Sequence, residues 1–281
     1  MNKKQIVVSI AIVAVMGYLY SLPVKGLIKA SQTHDTAQAA PAGKAVSSVT
    51  VATVSEPAKA AIGAALSAKI NELEGQLANA ADDAAKLPIE KQLATRWDDV
   101  NQPAPAAFYY QAVARKENSF DTWLKAGNHF NDAYKITQDT AVTPAFITGA
   151  VEAFTNALKL KPQSLEGKTG LGVAYVNGGA SPMQGIALLR EVIAQEPDNV
   201  NANLNLGLFS MKSGQYDKAV QRFKTVISKK PGFESYFYLA ETYKQLGQKT
   251  EAIAAYQKCK ELMPDPVFGQ RIDQYIKELK N

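Results

Sequence analysis

Apolar positions along the chain follow three patterns in succession. The first is a run from Ile6 to Leu22 that holds no charged residue. A spanning helix takes roughly 17 to 25 apolar residues, so residues 1–29 read as a membrane anchor. Pro23 stops the helix, and Tyr18 and Tyr20 sit where aromatic rings favour the interface. The alternative is a signal peptide with Lys3 and Lys4 as its basic start, but no small-x-small site directly follows the run. The flanking lysines favour an inside N-terminus. The rest of the chain is then expected outside the cytoplasm, in the periplasm if the source is bacterial.

The second pattern follows a stretch rich in Ala, Ser, Thr, Gln and Pro, residues 30–57, which reads as a flexible linker. Ile62, Leu66, Ile70, Leu73, Leu77, Ala80, Ala84 and Leu87 then recur at steps of three and four. This predicts one long heptad helix over residues 58–86. Such a seam either pairs two copies of the chain or packs on the domain that follows.

The third pattern is a repeat. Pro162, Pro197, Pro231 and Pro264 are separated by 35, 34 and 33 residues. Between them the same order returns. One copy reads Leu206-Gly207, Ser210, Gly214, Ala219, Phe223 and Val226, and the next Leu239-Ala240, Tyr243, Gly247, Ala252, Tyr256 and Cys259. The preceding copy has Leu171-Gly172, Tyr175, Gly185, Leu189 and Val192. Each unit predicts two helices. A small residue on the first lets a bulky residue from the second approach closely, and a central Gly allows the left-handed backbone of a tight turn. An earlier unit with Trp123, Ala126-Gly127, Phe130, Ala150 and Phe154 carries an 11-residue insertion. That length is about three helical turns, which keeps the helix faces aligned. Leu93-Ala94, Trp97, Ala106 and Tyr110 mark a first, looser unit.

This order and period resemble the tetratricopeptide repeat (TPR) family. The resemblance spans units of about 87–120, 121–164, 165–199, 200–233 and 234–266, with a capping helix over 267–281. It implies an all-α fold, a right-handed α-solenoid of stacked helix pairs behind the N-terminal transmembrane helix, and a concave groove that takes a peptide or protein segment. By that likeness the groove is lined from the first helices, by Leu124, Asn128 and Asn131, then Thr169, Val173 and Val176. Asn201, Leu204, Leu208 and Met211 follow, and then Phe237, Glu241 and Lys244. Packing on the next helix is the other role open to these residues. A subfamily captures acidic carboxy-terminal tails with paired Lys and Asn. Asn128 and Asn205 match it, but Leu124 and Tyr238 stand where basic residues are required. Gly178 to Gly185 replaces the usual turn, and Met183 and Gln184 in it form a candidate contact loop.

Catalytic chemistry finds no constellation. The two His are His34, in the linker, and His129, inside a repeat helix. Cys259 stands alone and takes a small apolar position. No cofactor or metal set is present, and the chain is expected not to be an enzyme. It reads as a membrane-anchored scaffold or adaptor for protein–protein interaction, with self-association through the heptad helix as the alternative. The net charge of +5 suggests a nucleic-acid partner only until it is located. Residues 1–44 hold five Lys against Asp35, leaving the remaining residues nearly neutral. One basic stretch, Lys212 to Lys230, remains, but its aromatics, Tyr216 and Phe223, do not interleave with the basic residues as single-strand binding requires. A nucleic-acid partner is therefore disfavoured.

Overall fold

The computed structural model describes residues 49–179 and 181–280, and the anchor and most of the linker lie outside them. The described residues form thirteen α-helices and no strand. In order they are α1 (Val51–Ile62), α2 (Ala64–Ala78), α3 (Asp83–Asp99), α4 (Pro103–Glu117), α5 (Phe120–Ile136), α6 (Thr143–Leu160) and α7 (Leu165–Gly178). Then come α8 (Pro182–Gln195), α9 (Val200–Lys212), α10 (Tyr216–Lys229), α11 (Phe233–Gln245), α12 (Lys249–Leu262) and α13 (Pro266–Lys280).

The starts of the helices follow from capping side chains. Ser119, Ser164 and Asn199 accept backbone N–H bonds from Thr122, Gly167 and Ala202 at 3.2, 3.0 and 2.9 Å. Each bond satisfies one of the donors that a helix leaves orphaned at its N-terminus. Gly214 and Gly247 both have φ of +72°, so the tight turns after α9 and α11 use the freedom of glycine.

Consecutive helices pack as pairs: α3 with α4, α5 with α6, and so on to α11 with α12. Small residues on the first helix receive large ones from the second. A Cβ on Gly207 would lie 2.7 Å from the Phe223 ring, and one on Gly127 2.8 Å from Phe154. Phe154 also fills the space over Gly170 on the next first helix, so one ring joins two repeats. Burying such a ring contributes about 1.5–3 kcal/mol. The first helices also touch one another, α5 to α7, α7 to α9 and α9 to α11, and so form a continuous layer. α13 closes the end of the stack, with Ile272, Ile276 and Leu279 buried. The whole is an α-solenoid of helix pairs.

The inserted unit keeps this plan. α5 and α6 have 17 and 18 residues, against 13 and 14 in α9 and α10. Thr143 and Pro144 open α6 and do not form the turn itself.

The N-terminal expectations need correction in two places. The linker does not extend to residue 57, because α1 begins at Val51 and contains Pro57. Thr50 and Thr53 close a capping box there, and Val54, Ser55 and Ala58 are buried. Nor is there one long helix over 58–86. Gly63, at φ +79°, separates α1 from α2, and Asp82 caps a new helix, α3. The heptad seam is used within the chain. Ile70 and Leu73 are buried in one core with Leu93, Trp97 and Tyr109, while Leu66 is exposed. Lys59 pairs with Glu74, and the Tyr109 hydroxyl donates to Glu74 at 3.4 Å, fastening α1 and α2 to the solenoid. Met183 and Gln184 also move from loop to helix, since α8 starts at Pro182.

At Gly172 and Gly185, α7 and α8 approach backbone to backbone. A Cβ on Gly172 would lie 2.9 Å from the Gly185 carbonyl oxygen. One on Gly185 would run into the Gly172 carbonyl and come within 2.8 Å of Val176 Cγ2. Backbone cannot step aside as a side chain does. Gly185→Ala should therefore cost about 1–3 kcal/mol in urea unfolding. Gly75→Ala is the control, because that site in α2 is open. It should stabilise by about 0.5–1 kcal/mol through helix propensity.

Candidate functional site

The first-helix layer brings α5, α7 and α9 side by side. Three turns of helix then converge on a cleft of about 560 Å³. From α5 come Asn128 and Asn131, from α7 Thr169 and Val173, and from α9 Asn201 and Leu204. Helical spacing explains the grouping, since residues three or four apart share a face. Leu165 and Val173 give the floor an apolar stripe, and the rim is polar.

The amides are not all free. Asn131 is buried, and its Nδ2 donates to the Gly170 carbonyl at 3.1 Å, tying α5 to α7. Asn128 Nδ2 donates to Glu166 Oε1 at 3.0 Å, and Asn205 Nδ2 to the Asn201 carbonyl at 2.8 Å. Much of the expected amide reading of a ligand backbone is thus spent inside the protein. The acidic rim is the feature that the residue pattern missed. Asp132, Glu166 and Glu196 all line the cleft. Lys135 is the one cation lining it, and it pairs with Asp132 at 3.2 Å. Glu166 and Glu196 accept only amide donors, Asn128 and Asn199. Glu166 stands three residues before Thr169 on the same face, so helical spacing was the signal available for it.

Other expected groove residues lie elsewhere. Leu124 is half-buried against the core of Phe130, Phe146 and Phe154. Val176 packs beside Leu189 and Val192, and Leu208 and Met211 pack on the C-terminal core. The Glu241 carboxylate accepts the Tyr256 hydroxyl. The Lys244 ammonium lies 5.6 Å from the centre of the Tyr275 ring. Phe237 belongs to a separate aromatic cleft. Met183 is 74% exposed on the first turn of α8, and the central cleft does not include it.

Two matches to family models cover these helices. Both models describe the tetratricopeptide repeat, one over residues 184–238 and one over 233–266. Residues 184–266 are tetratricopeptide repeats. Its fold is similar to a crystal structure of a thermophilic TPR protein from Thermus thermophilus, with a TM-score of 0.53 and 18% identity over 67% of this chain and 97% of that one. PilW, a type IV pilus biogenesis factor, gives a TM-score of 0.53 and 21% identity over 71% of this chain and 91% of its own. No curated protein matches the sequence. These likenesses extend the TPR fold beyond the two matched repeats.

His129 of the inserted TPR unit has a structural setting. Its ring stacks on Tyr110 at 5.0 Å, with 4° between the planes, and Nε2 lies 3.6 Å from Asp98 Oδ2. Burial lowers its pKa below 6.5, against the opposing pull of Asp98 and Asp132. Cys259 is buried as filler, with its Sγ–H donating to the Phe233 carbonyl, and burial pushes its pKa up to about 11. Among the described residues no group of acids, His and Cys is arranged to hold a metal ion.

The His129 shift has a pH signature. Its pKa is lower folded than unfolded, so the unfolded chain binds the proton more readily. Its contribution to stability is complete above the unfolded value and is lost as pH falls below about 6.5. Urea unfolding of wild type should lose stability as pH falls below about 6.5, and His129→Gln should flatten that slope.

Proposed function

We propose that this TPR protein is a scaffold that holds an extended segment of a partner protein in the cleft between α5, α7 and α9. The carrying observation is that Glu166 and Glu196, two carboxylates without a cationic partner among the described residues, border an apolar floor in one cleft. A segment with apolar anchors and flanking Lys or Arg complements that arrangement, since helical grooves and acidic rims select by shape and charge together. The N-terminal run Ile6 to Leu22, outside the described residues, is read as tying the scaffold to a membrane, with the repeats on the extracytoplasmic side. Among the described residues no helix is long and apolar enough to cross a membrane. In this reading the partner belongs to a membrane or envelope complex.

Crosslinking in intact cells followed by partner identification tests the cleft. The variant Glu166→Lys/Leu204→Lys changes one rim charge and one half-buried apolar position. It should lose the wild-type crosslinks by about tenfold or more while its melting temperature shifts by only a few degrees. Unchanged crosslinks would overturn the cleft reading. For the anchor, cells are fractionated and membranes washed with alkaline carbonate. The full chain should stay in the membrane pellet, and a version beginning at residue 49 should be released. Release of the full chain by the wash would refute the anchor.

A further inference from the structure

The second helices carry the opposite charge to the central cleft. From Lys212 to Lys230 the chain has six basic side chains against one acid, Asp217. Helix α10 sorts its residues by face. Ala219, Val220, Phe223 and Val226 are buried, while Lys218, Lys224 and Lys229 are exposed. Ion pairing compensates little of this charge. Of the six, only Lys229 pairs with an acid among the described residues, Asp198 at 2.6 Å. Lys218 donates to the Gln215 side-chain oxygen at 2.6 Å, and Lys224 lies 5.8 Å from the centre of the Tyr243 ring. Neither contact neutralises a charge. Arg222 is half-buried and donates to the Asn203 side-chain oxygen at 3.0 Å. Burial, and then the charge of Arg190, lower its pKa, but a guanidinium keeps its proton. Arg190 stands on α8, so the basic surface extends over two consecutive second helices.

The surroundings of these charges select among anionic partners. Gln221, Thr225 and Ser228 lie between them on α10, so the face offers no apolar anchor. Protein interfaces are built around such anchors and are depleted of Lys. Single-stranded nucleic acid stacks its bases on aromatic rings. Here Phe223 is buried in the core, and Tyr216 stands alone at the start of the helix. A layer of anionic lipid headgroups needs neither anchor nor ring. It is a plane of diffuse negative charge, and about four to eight Lys and Arg on one amphipathic helix match it. The start of the described chain lies in the same layer of helices. α1 packs on α4, a second helix, and Val49 packs on the neighbouring core. The described chain thus begins at the second-helix layer and not at the acidic cleft of the first helices.

We propose that the outer face of α10, with Arg190 of α8, docks on an anionic phospholipid surface. The contact is electrostatic and does not insert, since the residues between the charges are polar. It depends neither on what the central cleft holds nor on the N-terminal anchor.

The test uses the full chain with a dye on Gln221→Cys, an exposed position of α10, while the fully buried Cys259 stays unlabelled. Nanodiscs of phosphatidylcholine, alone or with about 30% phosphatidylglycerol, carry an energy-transfer acceptor in the lipid and are added at about 1 mM lipid. At about 50 mM salt, transfer should be at least about twofold higher with the anionic discs. At about 1 M salt, where screening acts over about 3 Å, the two disc types should give equal transfer. A dye on Asn201→Cys, exposed at the acidic cleft, should show no such gain. Each Lys near an anionic surface strengthens binding about fivefold, so Lys218→Gln/Lys224→Gln should weaken anionic-disc binding about tenfold or more with no shift in melting temperature. Lys218→Arg/Lys224→Arg should keep it, because the surface reads charge and not shape. Recovery of the chain with neutral discs reports the anchor, and the low-salt gain reports the basic face, so the two readings fail separately. Equal transfer with both discs at low salt, full binding by the Gln variant, or a larger gain at Asn201 than at Gln221 would each overturn the proposal. Tighter binding of a short duplex DNA than of the anionic discs would also overturn it and would make α10 a nucleic-acid face.

Discussion

The solenoid depends on one steric relation, a missing or minimal side chain on one helix facing a large one from its partner. Gly207 facing Phe223 and Gly127 facing Phe154 are its clearest forms. The relation sets how near the two helices of a pair come, and hence the width of each repeat. Because Phe154 also covers Gly170, it sets the spacing between repeats as well. Dispersion and burial are short-ranged, so a Cβ in any of these notches disturbs packing on both sides. The polar parts are arranged around this frame. Asn203, fully buried, donates to the Pro197 and Asn199 carbonyls at 2.8 and 2.9 Å and accepts Arg222 at 3.0 Å. It thereby satisfies the turn between two repeats from within.

Stacking the pairs in this way leaves the first helices shoulder to shoulder, and the clefts are consequences of that layer. Where α5, α7 and α9 carry medium side chains, Leu, Val, Thr and Asn, the surface stays open and polar at its rim. Where α11 meets the cap α13, the facing residues are aromatic and the opening narrows. One layer thus presents two chemically distinct clefts, an acidic one near its middle and an aromatic one near its end. The insertion lengthens α5 and α6 by four residues each over α9 and α10, about one turn, and adds three residues to the loop between them.

The repeats were legible in the sequence because their rule is local and recurs. Leu-Gly or Leu-Ala followed by a bulky residue sixteen or seventeen positions on specifies a helix pair wherever it occurs, as with Leu206-Gly207 and Phe223. The N-terminal helices obey no repeated rule. Val54 lies in linker-like composition, and only packing on α4 and α6 makes it a core residue. The heptad seam was real as a pattern, but Gly63 breaks the helix and Ile70 and Leu73 meet the chain's own Trp97 and Tyr109. The central cleft was half legible. Six of the expected residues converge there, but the hydrogen bonds that occupy Asn128 and Asn131 depend on α7 lying beside α5. The aromatic cleft was hidden for a related reason. Phe233 and Tyr238 lie on α11 and Phe268 on α13, and only the closure of α13 over α11 brings them together.

The placement of charge follows from the same layering. A net charge summed over the chain describes neither face of a solenoid. The second helix α10 carries Lys218, Arg222, Lys224 and Lys229, while the cleft on the first-helix side carries Glu166 and Glu196, without partner cations among the described residues. Some of the basic side chains are already committed, with Lys229 paired to Asp198 at 2.6 Å and Lys224 lying over the Tyr243 ring. What remains is a chain whose repeats are nearly neutral in total but polarised across their thickness. At physiological ionic strength screening acts over about 8 Å, so an approaching segment feels the face it meets and little of the other. In the proposed role, selection at the cleft rests on the local acids and the apolar floor beneath them, and the basic isoelectric point of the whole chain has little bearing on it.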